Sequence, residues 1–268
     1  MAEKKTHQEH PLANILINVL IPMMVLSYLS KDPAIQALLH KPLTLHTWFG
    51  DIPRFWYVGP IKALVVALLL PLGYGIWIFS KTRKFNFFSG LGLFSVLLTG
   101  GLTLYLWNKD GTVKEHAGLL FGIKEGAIPL ALGIATLISQ RSATPLLNVF
   151  LYNDTLFDIP KIERKIAEKG AETGYRSVIG HATLLFATSF FISSAMNVGL
   201  ALFFFRGFDR SAPDALETYN AIIGKLTGWG FAVIGIPLLV FLFFTLQRIL
   251  KGLRELTDLK DEELMLPR

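Results

Sequence analysis

A lysine and a glutamate stand side by side inside an apolar stretch, at Lys124 and Glu125 in the octet GIKEGAIP. An ionisable side chain near the centre of a bilayer costs about 2.5–3.5 kcal/mol on insertion scales, so each of these charges needs a partner or a function. Adjacent residues on a helix point about 100° apart and do not face each other. The pair therefore predicts two separate partners, or a water-filled cavity beside the helix.

Polar residues on other apolar stretches complete a candidate substrate or ion site around this pair. Lys62 is the predicted partner of Glu125, while Lys124 is expected to reach the outer headgroups along its own aliphatic stem. The other candidates are Asn18, Thr103 and Asn197. Two interpretations stay open, namely an interhelical salt bridge that fixes packing, and a site for a substrate, a proton or a lipid headgroup.

Motifs that would indicate catalysis are not found in the sequence. It has no phosphate-binding loop, no H-E-x-x-H pair and no nucleophile elbow. With no cysteine, the chain cannot form disulfides, cysteine metal sites or a cysteine nucleophile. None of the six histidines lies deep in an apolar stretch, where a haem between helices would need its ligands. We therefore expect no enzyme, no catalytic residue, no metal site and no cofactor.

Composition predicts an integral membrane protein as the framework for these residues. The 268 residues are 52% hydrophobic and only 17% charged, whereas soluble domains carry about 25% charged residues. A helix needs about 20 apolar residues to cross a bilayer. Six apolar runs approach or exceed that length, near residues 13–30, 59–80, 88–107, 118–139, 182–205 and 225–247. The first follows a basic start, but no small-residue cleavage site follows it, so we interpret it as a retained helix.

The basic residues between the runs predict the orientation of the chain. Lysine and arginine collect before the first run, between the second and third, between the fourth and fifth, and after the sixth. The positive-inside rule places these segments in the cytoplasm, with both termini. The predicted fold is thus one all-α, polytopic membrane domain over residues 1–268, with six transmembrane helices. This distribution accounts for the net charge of +6 without a nucleic-acid partner. The expected partners are membrane lipids, other membrane proteins or a second copy of the chain.

Two segments outside the runs have some organisation. Residues 31–58 are rich in Trp, Phe and Tyr, which favours an outer loop lying at the membrane interface. Residues 140–180 form a cytoplasmic amphipathic segment. Within it, Asp158 is a helix cap, Pro160 lies in the first turn and Gly170 ends the helix. We expect this short helix to lie on the membrane surface or to contact a partner.

Four of the runs contain a proline, at Pro22, Pro71, Pro129 and Pro237. A proline removes one backbone hydrogen bond and kinks a helix. Two interpretations stay open here as well. Broken helices can surround a transport site, and proline is also simply common in membrane helices.

Residues 12–140 resemble the bacterial inner-membrane septation protein A (YciB-like) family and its multi-pass relatives. The resemblance is carried by the first helix NILINVLIPMMVLSYLS, the basic turn KTRKFNF, the Gly-Gly-Leu-Thr signature at residues 100–103 and the lysine at Lys124. Glu125 and Gly126 stand where the family has Pro-Thr, so the chain departs from the family beside that lysine. The resemblance implies a multi-pass protein of the bacterial inner membrane with a role in cell-envelope biogenesis or division.

Two functions of different classes follow as hypotheses. The first is a non-enzymatic protein of envelope biogenesis or division, or an accessory subunit of a membrane complex. The second is a small secondary transporter or lipid-handling permease, with a charged site in the outer half of spans two and four. A structural role requires the charges to be satisfied and dry, whereas transport requires a cavity beside them.

Overall fold

A computed structural model describes residues 16–40, 44–47, 50–82, 87–142 and 145–266. Most of these residues are helical, and one short antiparallel hairpin pairs Thr44 with Pro53. In chain order the elements are α1 (Leu16–Leu29), α2 (Pro33–Leu38), β1 (Thr44–Thr47), β2 (Gly50–Pro53), α3 (Pro60–Thr82), α4 (Phe87–Leu106), α5 (Ala117–Ser139), α6 (Leu146–Phe150), α7 (Ile159–Lys169), α8 (Glu172–Phe204), α9 (Ala215–Thr257) and α10 (Asp261–Leu264).

The helical class of the fold is confirmed, and four helices are long and apolar enough to cross a membrane. They lie at Pro60–Lys81, Ala117–Ser139, Glu172–Phe204 and Ala215–Thr257. They contain or closely match the second, fourth, fifth and sixth predicted spans. The first and third correspond to shorter apolar helices within the described residues, at Leu16–Leu29 and Phe94–Leu106. Large apolar side chains on these helices face outward, for example Leu69 at 60% and Leu239 at 64% exposed, as a lipid environment permits.

The backbone around the four prolines is of two kinds. Pro71 and Pro129 lie inside the continuous α-helices α3 and α5. In α1 and α9 the backbone instead widens into a π-helical turn just before the proline, at Leu16–Leu20 before Pro22 and at Phe231–Gly235 before Pro237. A second π-helical turn in α1 follows at Val25–Leu29. A proline cannot donate to the carbonyl four residues earlier, and such local rewinding absorbs the defect. The helices continue through all four prolines.

The chain divides into two compact units, residues 1–124 with 200–231, and residues 125–199 with 232–268. In the first unit, α1, α3 and the first part of α9 enclose a core that includes Leu64, Phe121 and Tyr219. Gly224 permits the close approach of α9 to α1, because a Cβ there would lie 2.9 Å from the carbonyl oxygen of Met23. This unit positions Lys124.

The core of the second unit is formed by α6, α7, α8, the last part of α9 and the C-terminal segment. Helix α7 begins and ends as predicted, since Asp158 accepts a hydrogen bond from the amide of Lys161 at 3.2 Å and Gly170 is left-handed at φ +63°. Its apolar residues Ile162 and Ile166 are buried in this core. The apolar face of α7 is therefore covered by its own unit, and a contact with the membrane or a partner, which stays a prediction, would use its exposed polar face.

The segment predicted as an outer loop contains α2, the hairpin and a 3₁₀ turn at Arg54–Trp56. Its aromatic residues divide, since Phe55 and Trp56 are exposed at 80% and 55% while Tyr57 is buried. Several predicted features lie outside the described residues, namely residues 13–15 of the first span, the aromatic side chains at positions 48 and 49, and the basic residues at positions 83 and 84.

Candidate functional site

Helix α5 carries both residues of the charged pair. Lys124 is buried and Glu125 is half-buried, and the boundary between the two units falls between them. Adjacent helical residues point in different directions, so each side chain has its own surroundings. Each is described within its own unit.

The ammonium group of Lys124 is buried, with only 7% of the residue exposed. Its Nζ donates a hydrogen bond to the Oγ1 of Thr99 on α4 at 2.5 Å, and Thr99 in turn donates to the carbonyl of Ser95 at 2.8 Å. The ring of Phe121, one turn earlier on α5, has its centroid 5.2 Å from the same ammonium. A cation this close to an aromatic face is stabilised by the ring quadrupole.

These contacts overturn the expectation that Lys124 reaches the headgroups. In a lysine that reaches the headgroups, the aliphatic stem lies along apolar surface and the ammonium stays in contact with water. Here the ammonium finds an acceptor on the neighbouring helix, inside the unit. The side chain of Lys124 thus joins α5 to α4 by a hydrogen bond.

Thr103 lies one turn beyond Thr99 on α4 and is completely buried. Among the residues that the structure describes, its hydroxyl has no hydrogen-bond partner. The indole Nε1 of Trp107, one further turn along, also has none within the described ranges. Thr99, Thr103 and Trp107 therefore form one polar stripe, of which only the first member is satisfied. A buried hydroxyl without a partner costs about 1–3 kcal/mol, so Thr103 stays a candidate site residue.

Glu125 belongs to the second unit, where α5 packs closely against α8. A Cβ at Gly126 would lie 2.9 Å from Cγ2 of Val198 and 3.1 Å from the carbonyl oxygen of Ser194. The hydroxyl of Ser194 donates to the carbonyl of Gly126 at 2.8 Å. Pro129 cannot donate to the carbonyl of Glu125 four residues earlier. The contact with α8 thus lies one residue from the carbonyl that the proline leaves without its helical donor.

Asn197 lies on the same segment of α8 as the residues that contact Gly126. It is half-buried, and its Nδ2 donates to the carbonyl of Ser193 at 2.8 Å. Ser193 and Ser189, one and two turns earlier, are buried on the same face. Asn197 therefore ends a polar stripe that runs along α8, and it donates this hydrogen bond to its own helix.

Lys62 and Asn18 lie elsewhere in the first unit. Lys62 is exposed on α3, while its neighbours Ala63 and Leu64 fill the core. Within the described ranges Lys62 forms no hydrogen bond or ion pair. Since Lys62 and Glu125 belong to different units, its role as the partner of Glu125 stays a prediction. The core-facing side of α3 is taken by Ala63, Leu64 and Ala67, which turns position 62 outward. Asn18 is half-buried in the first π-helical turn of α1.

A buried carboxylate at Glu217 was missed by sequence reasoning. It lies in the first turn of α9 and is 5% exposed. Its oxygens accept hydrogen bonds from the backbone amide of Asp32 at 2.7 Å and from Nε2 of Gln36 at 2.5 Å. Glu217 thus holds the beginning of α2 against α9. The only local signal was an acid in a first helical turn, since its partners lie more than 180 residues earlier.

Comparison of the chain with protein-family models, with curated proteins and with solved structures found no match. In the part of the chain that the structure describes, no three His, Asp or Glu side chains are close enough to hold a metal ion.

Proposed function

We propose that the protein is a non-enzymatic, six-span protein of the bacterial inner membrane that acts in cell-envelope biogenesis or division, as a scaffold or as an accessory subunit of a membrane complex. The observation that carries the proposal is the hydrogen bond from buried Lys124 to Thr99. A charge that is satisfied and dry stabilises packing, whereas a transport site keeps its charge beside water.

The topology that goes with this function has both termini in the cytoplasm. Four long apolar helices and two shorter ones support six spans. The basic residues Arg248, Lys251 and Arg254 after the last apolar run support a cytoplasmic C terminus. Fusions at Asp110 and at the C terminus test it. Alkaline phosphatase should be active at Asp110, and green fluorescent protein should fluoresce at the C terminus. The reverse pattern would overturn this topology.

Complementation tests the packing role of the buried lysine. In a bacterium lacking its own copy of the gene, cell length and detergent sensitivity measure envelope function. The double variant Lys124→Met/Thr99→Val removes the charge and its acceptor together, and it should restore function as well as the wild type. Full complementation supports a packing role. Loss of function at normal expression would show that the charge itself is required, which would contradict the proposal.

A partner protein distinguishes an accessory subunit from a scaffold that acts alone. The full-length protein, purified from its host membranes in mild detergent, should carry a stoichiometric partner if it is an accessory subunit. Large apolar side chains exposed on α9, such as Phe243 and Phe244, offer surface for either lipid or another helix. Purification of the chain alone would leave the scaffold as the proposal.

A permease remains the second candidate function, and one observation favours it. The hydroxyl of Thr103 is buried and without a partner among the described residues, so it could bind a substrate group or an ion. Glu125→Gln keeps the shape of the side chain and removes its charge. If Glu125→Gln and Thr103→Val each abolish complementation at normal expression, the permease replaces the scaffold. Wild-type complementation by both variants eliminates it.

A further inference from the structure

A polar groove lies between α8 and α9 in the second unit. It has a volume of about 170 Å³ and is lined by Ser177, Val178, His181, Arg248, Lys251, Gly252 and Glu255. The groove contains two permanent cations and a histidine against one carboxylate. Its lining therefore favours an anion.

Glycines bring the two helices together beneath the groove. A Cβ at Gly252 would lie 2.5 Å from Cγ2 of Val178, and a Cβ at Gly174 would lie 2.7 Å from Cδ2 of Leu256. Along α8, Gly174 comes four residues before Val178, whereas along α9 the partner of Gly174, Leu256, comes four residues after the partner of Val178, Gly252. Helices α8 and α9 thus run antiparallel here, with the groove floor formed by Gly252 and Val178.

The groove lies where both helices change from polar to apolar. On α8, His181 immediately precedes the apolar run at residues 182–205. On α9, Arg248 immediately follows the run at residues 225–247. Because the helices are antiparallel, both changes occur at the same end of the pair. For apolar runs that lie in the hydrocarbon core, this end is at the headgroup layer.

The cations in the groove are only weakly engaged by the protein. Lys251 and Glu255 are 4.0 Å apart, with side chains 62% and 67% exposed, so this ion pair contributes little. Arg248 has no ion-pair partner in the described part of the chain. His181 is fixed by a hydrogen bond between its Nδ1 and the carbonyl of Ser177 at 2.7 Å. Since a carbonyl only accepts, this nitrogen carries the proton.

Exposed apolar side chains lie directly beside the groove on its membrane side. Leu184 on α8 is three residues beyond His181 and is 56% exposed. Phe244 on α9 is four residues before Arg248 and is 62% exposed. An anion bound by the cations would carry any attached hydrocarbon chain along these residues. This arrangement fits a lipid better than a soluble phosphate.

We propose that this groove binds the phosphodiester headgroup of an anionic phospholipid, with Arg248 and Lys251 contacting the phosphate and the acyl chains lying along Leu184 and Phe244. Basic pockets between transmembrane helices on the cytoplasmic side bind anionic headgroups by the same chemistry. Arginine matches the phosphate oxygens in bidentate geometry, and lysine adds a point charge. The site is independent of the charged pair on α5.

Native mass spectrometry of the delipidated, full-length protein tests the proposal. Phosphatidylglycerol should bind about 10-fold more tightly than zwitterionic phosphatidylcholine, and Arg248→Gln/Lys251→Gln should weaken phosphatidylglycerol binding about 10-fold.

The matched control, Arg164→Gln/Lys165→Gln, removes two charges from α7 and should leave binding within about twofold. Arg248→Lys/Lys251→Arg keeps both charges and should retain binding. All variants must keep the wild-type elution profile and melting temperature; single Lys251→Gln is the substitute if the groove double variant unfolds.

Three results would overturn the proposal. Equal binding of the two lipids would show that the anionic headgroup is not recognised. An equal loss in the groove and control variants would show that the whole basic surface attracts lipid without a site. Displacement of phosphatidylglycerol by millimolar inorganic phosphate, with equal affinity for its short-chain form, would show that the groove binds soluble phosphate instead.

Discussion

The ammonium of Lys124 lies 2.5 Å from the hydroxyl of Thr99 on the neighbouring helix, and this bond is the central finding about the charged pair. It joins α5 to α4 within the first unit. The lysine is buried, it has an acceptor, and an aromatic ring lies beside it. Glu125, the adjacent residue, lies in the other unit beside the packed contact of Gly126 with α8. The two charges that adjoin in sequence thus have separate surroundings.

A double-mutant cycle should measure the coupling between these two residues. Thr99→Val removes the acceptor and leaves a buried cation, so it should lower the free energy of unfolding by about 1–3 kcal/mol. Lys124→Met should cost less, because an apolar side chain of similar length replaces the charge. The double variant should be more stable than the sum of the single effects by about 1 kcal/mol. Unfolding in detergent measures all four proteins, and additive effects would contradict the bond.

Thr103→Val should leave the protein as stable as the wild type or stabilise it by about 1 kcal/mol, because it removes a buried hydroxyl without a described partner. Thr136→Val on α5 is the matched control. Thr136 is also completely buried, but its hydroxyl donates to the carbonyl of Leu132 at 2.7 Å, so its loss should not stabilise. Thermal unfolding compares the two. Clear destabilisation by Thr103→Val would show that the hydroxyl is satisfied in the folded protein.

Gly126→Ala should lower the free energy of unfolding by about 1–3 kcal/mol, because the added methyl group meets Val198 and the backbone of Ser194. Gly101→Ala is the control, since nothing lies within 4 Å of a Cβ there. It should be neutral, or stabilise α4 by about 1 kcal/mol through helix propensity. Chemical unfolding of both variants provides the comparison. A neutral Gly126→Ala would show that α5 and α8 can separate at no cost.

Glu217→Ala should lower the free energy of unfolding by about 1–3 kcal/mol, because it leaves the amide of Asp32 and the side chain of Gln36 without their acceptor. Glu217→Gln keeps one carbonyl oxygen and should cost less. Glu255→Ala, at an exposed carboxylate, should be within about 0.5 kcal/mol of the wild type. Proteolysis of α2 is a second measurement, since loss of this anchor should speed cleavage there. Equal stability of Glu217→Ala and Glu255→Ala would contradict the assigned role.

The contact between the C-terminal segment and α7 should weaken by a small amount as the pH falls, because the ion pair of Glu263 with Lys161 is exposed. The amide of Lys260 and then the ammonium of Lys161 hold the pKa of Glu263 below its usual value. A lowered folded-state pKa means that this stability is present above the unfolded pKa and is lost as the pH falls through the folded pKa. The protection factors against hydrogen exchange at the amides of Asp158 and Leu266, which bond across this contact, should therefore fall below about pH 4, after correction for the intrinsic pH dependence of exchange. In Glu263→Gln this pH dependence should disappear, and its persistence would assign the effect to another group.

Much of the fold could be predicted because its signals are local. Four apolar runs are long enough to cross a membrane, and the bounds of α7 follow from a cap at Asp158 and a left-handed Gly170. These features depend on neighbours within one or two turns. The count of six spans, the orientation and the family resemblance remain predictions.

The candidate site was predicted less well, because the sequence does not show which side of an apolar helix faces protein. Lipid is as apolar as a protein core, so both sides of such a helix carry apolar residues. In α5 the apolar Ile123 is 52% exposed while the charged Lys124 beside it is only 7% exposed. No periodicity in the sequence of α5 indicates that the apolar residue faces outward and the charged one inward. The same ambiguity applies to α3, where Lys62 is exposed while Ala63 beside it is buried.

The sequence by itself determined an apolar, charge-poor and mainly helical chain, with a lysine and a glutamate inside an apolar run, where an unpaired charge is costly. The tertiary structure decided how the lysine is satisfied, because it places the hydroxyl of Thr99 within hydrogen-bond distance of Lys124. It also decided that Glu217 anchors α2 and that Gly126 is a packing contact. The physical cause is that hydrogen bonds between helices depend on the rotation and neighbours of each helix, which only the packed structure defines.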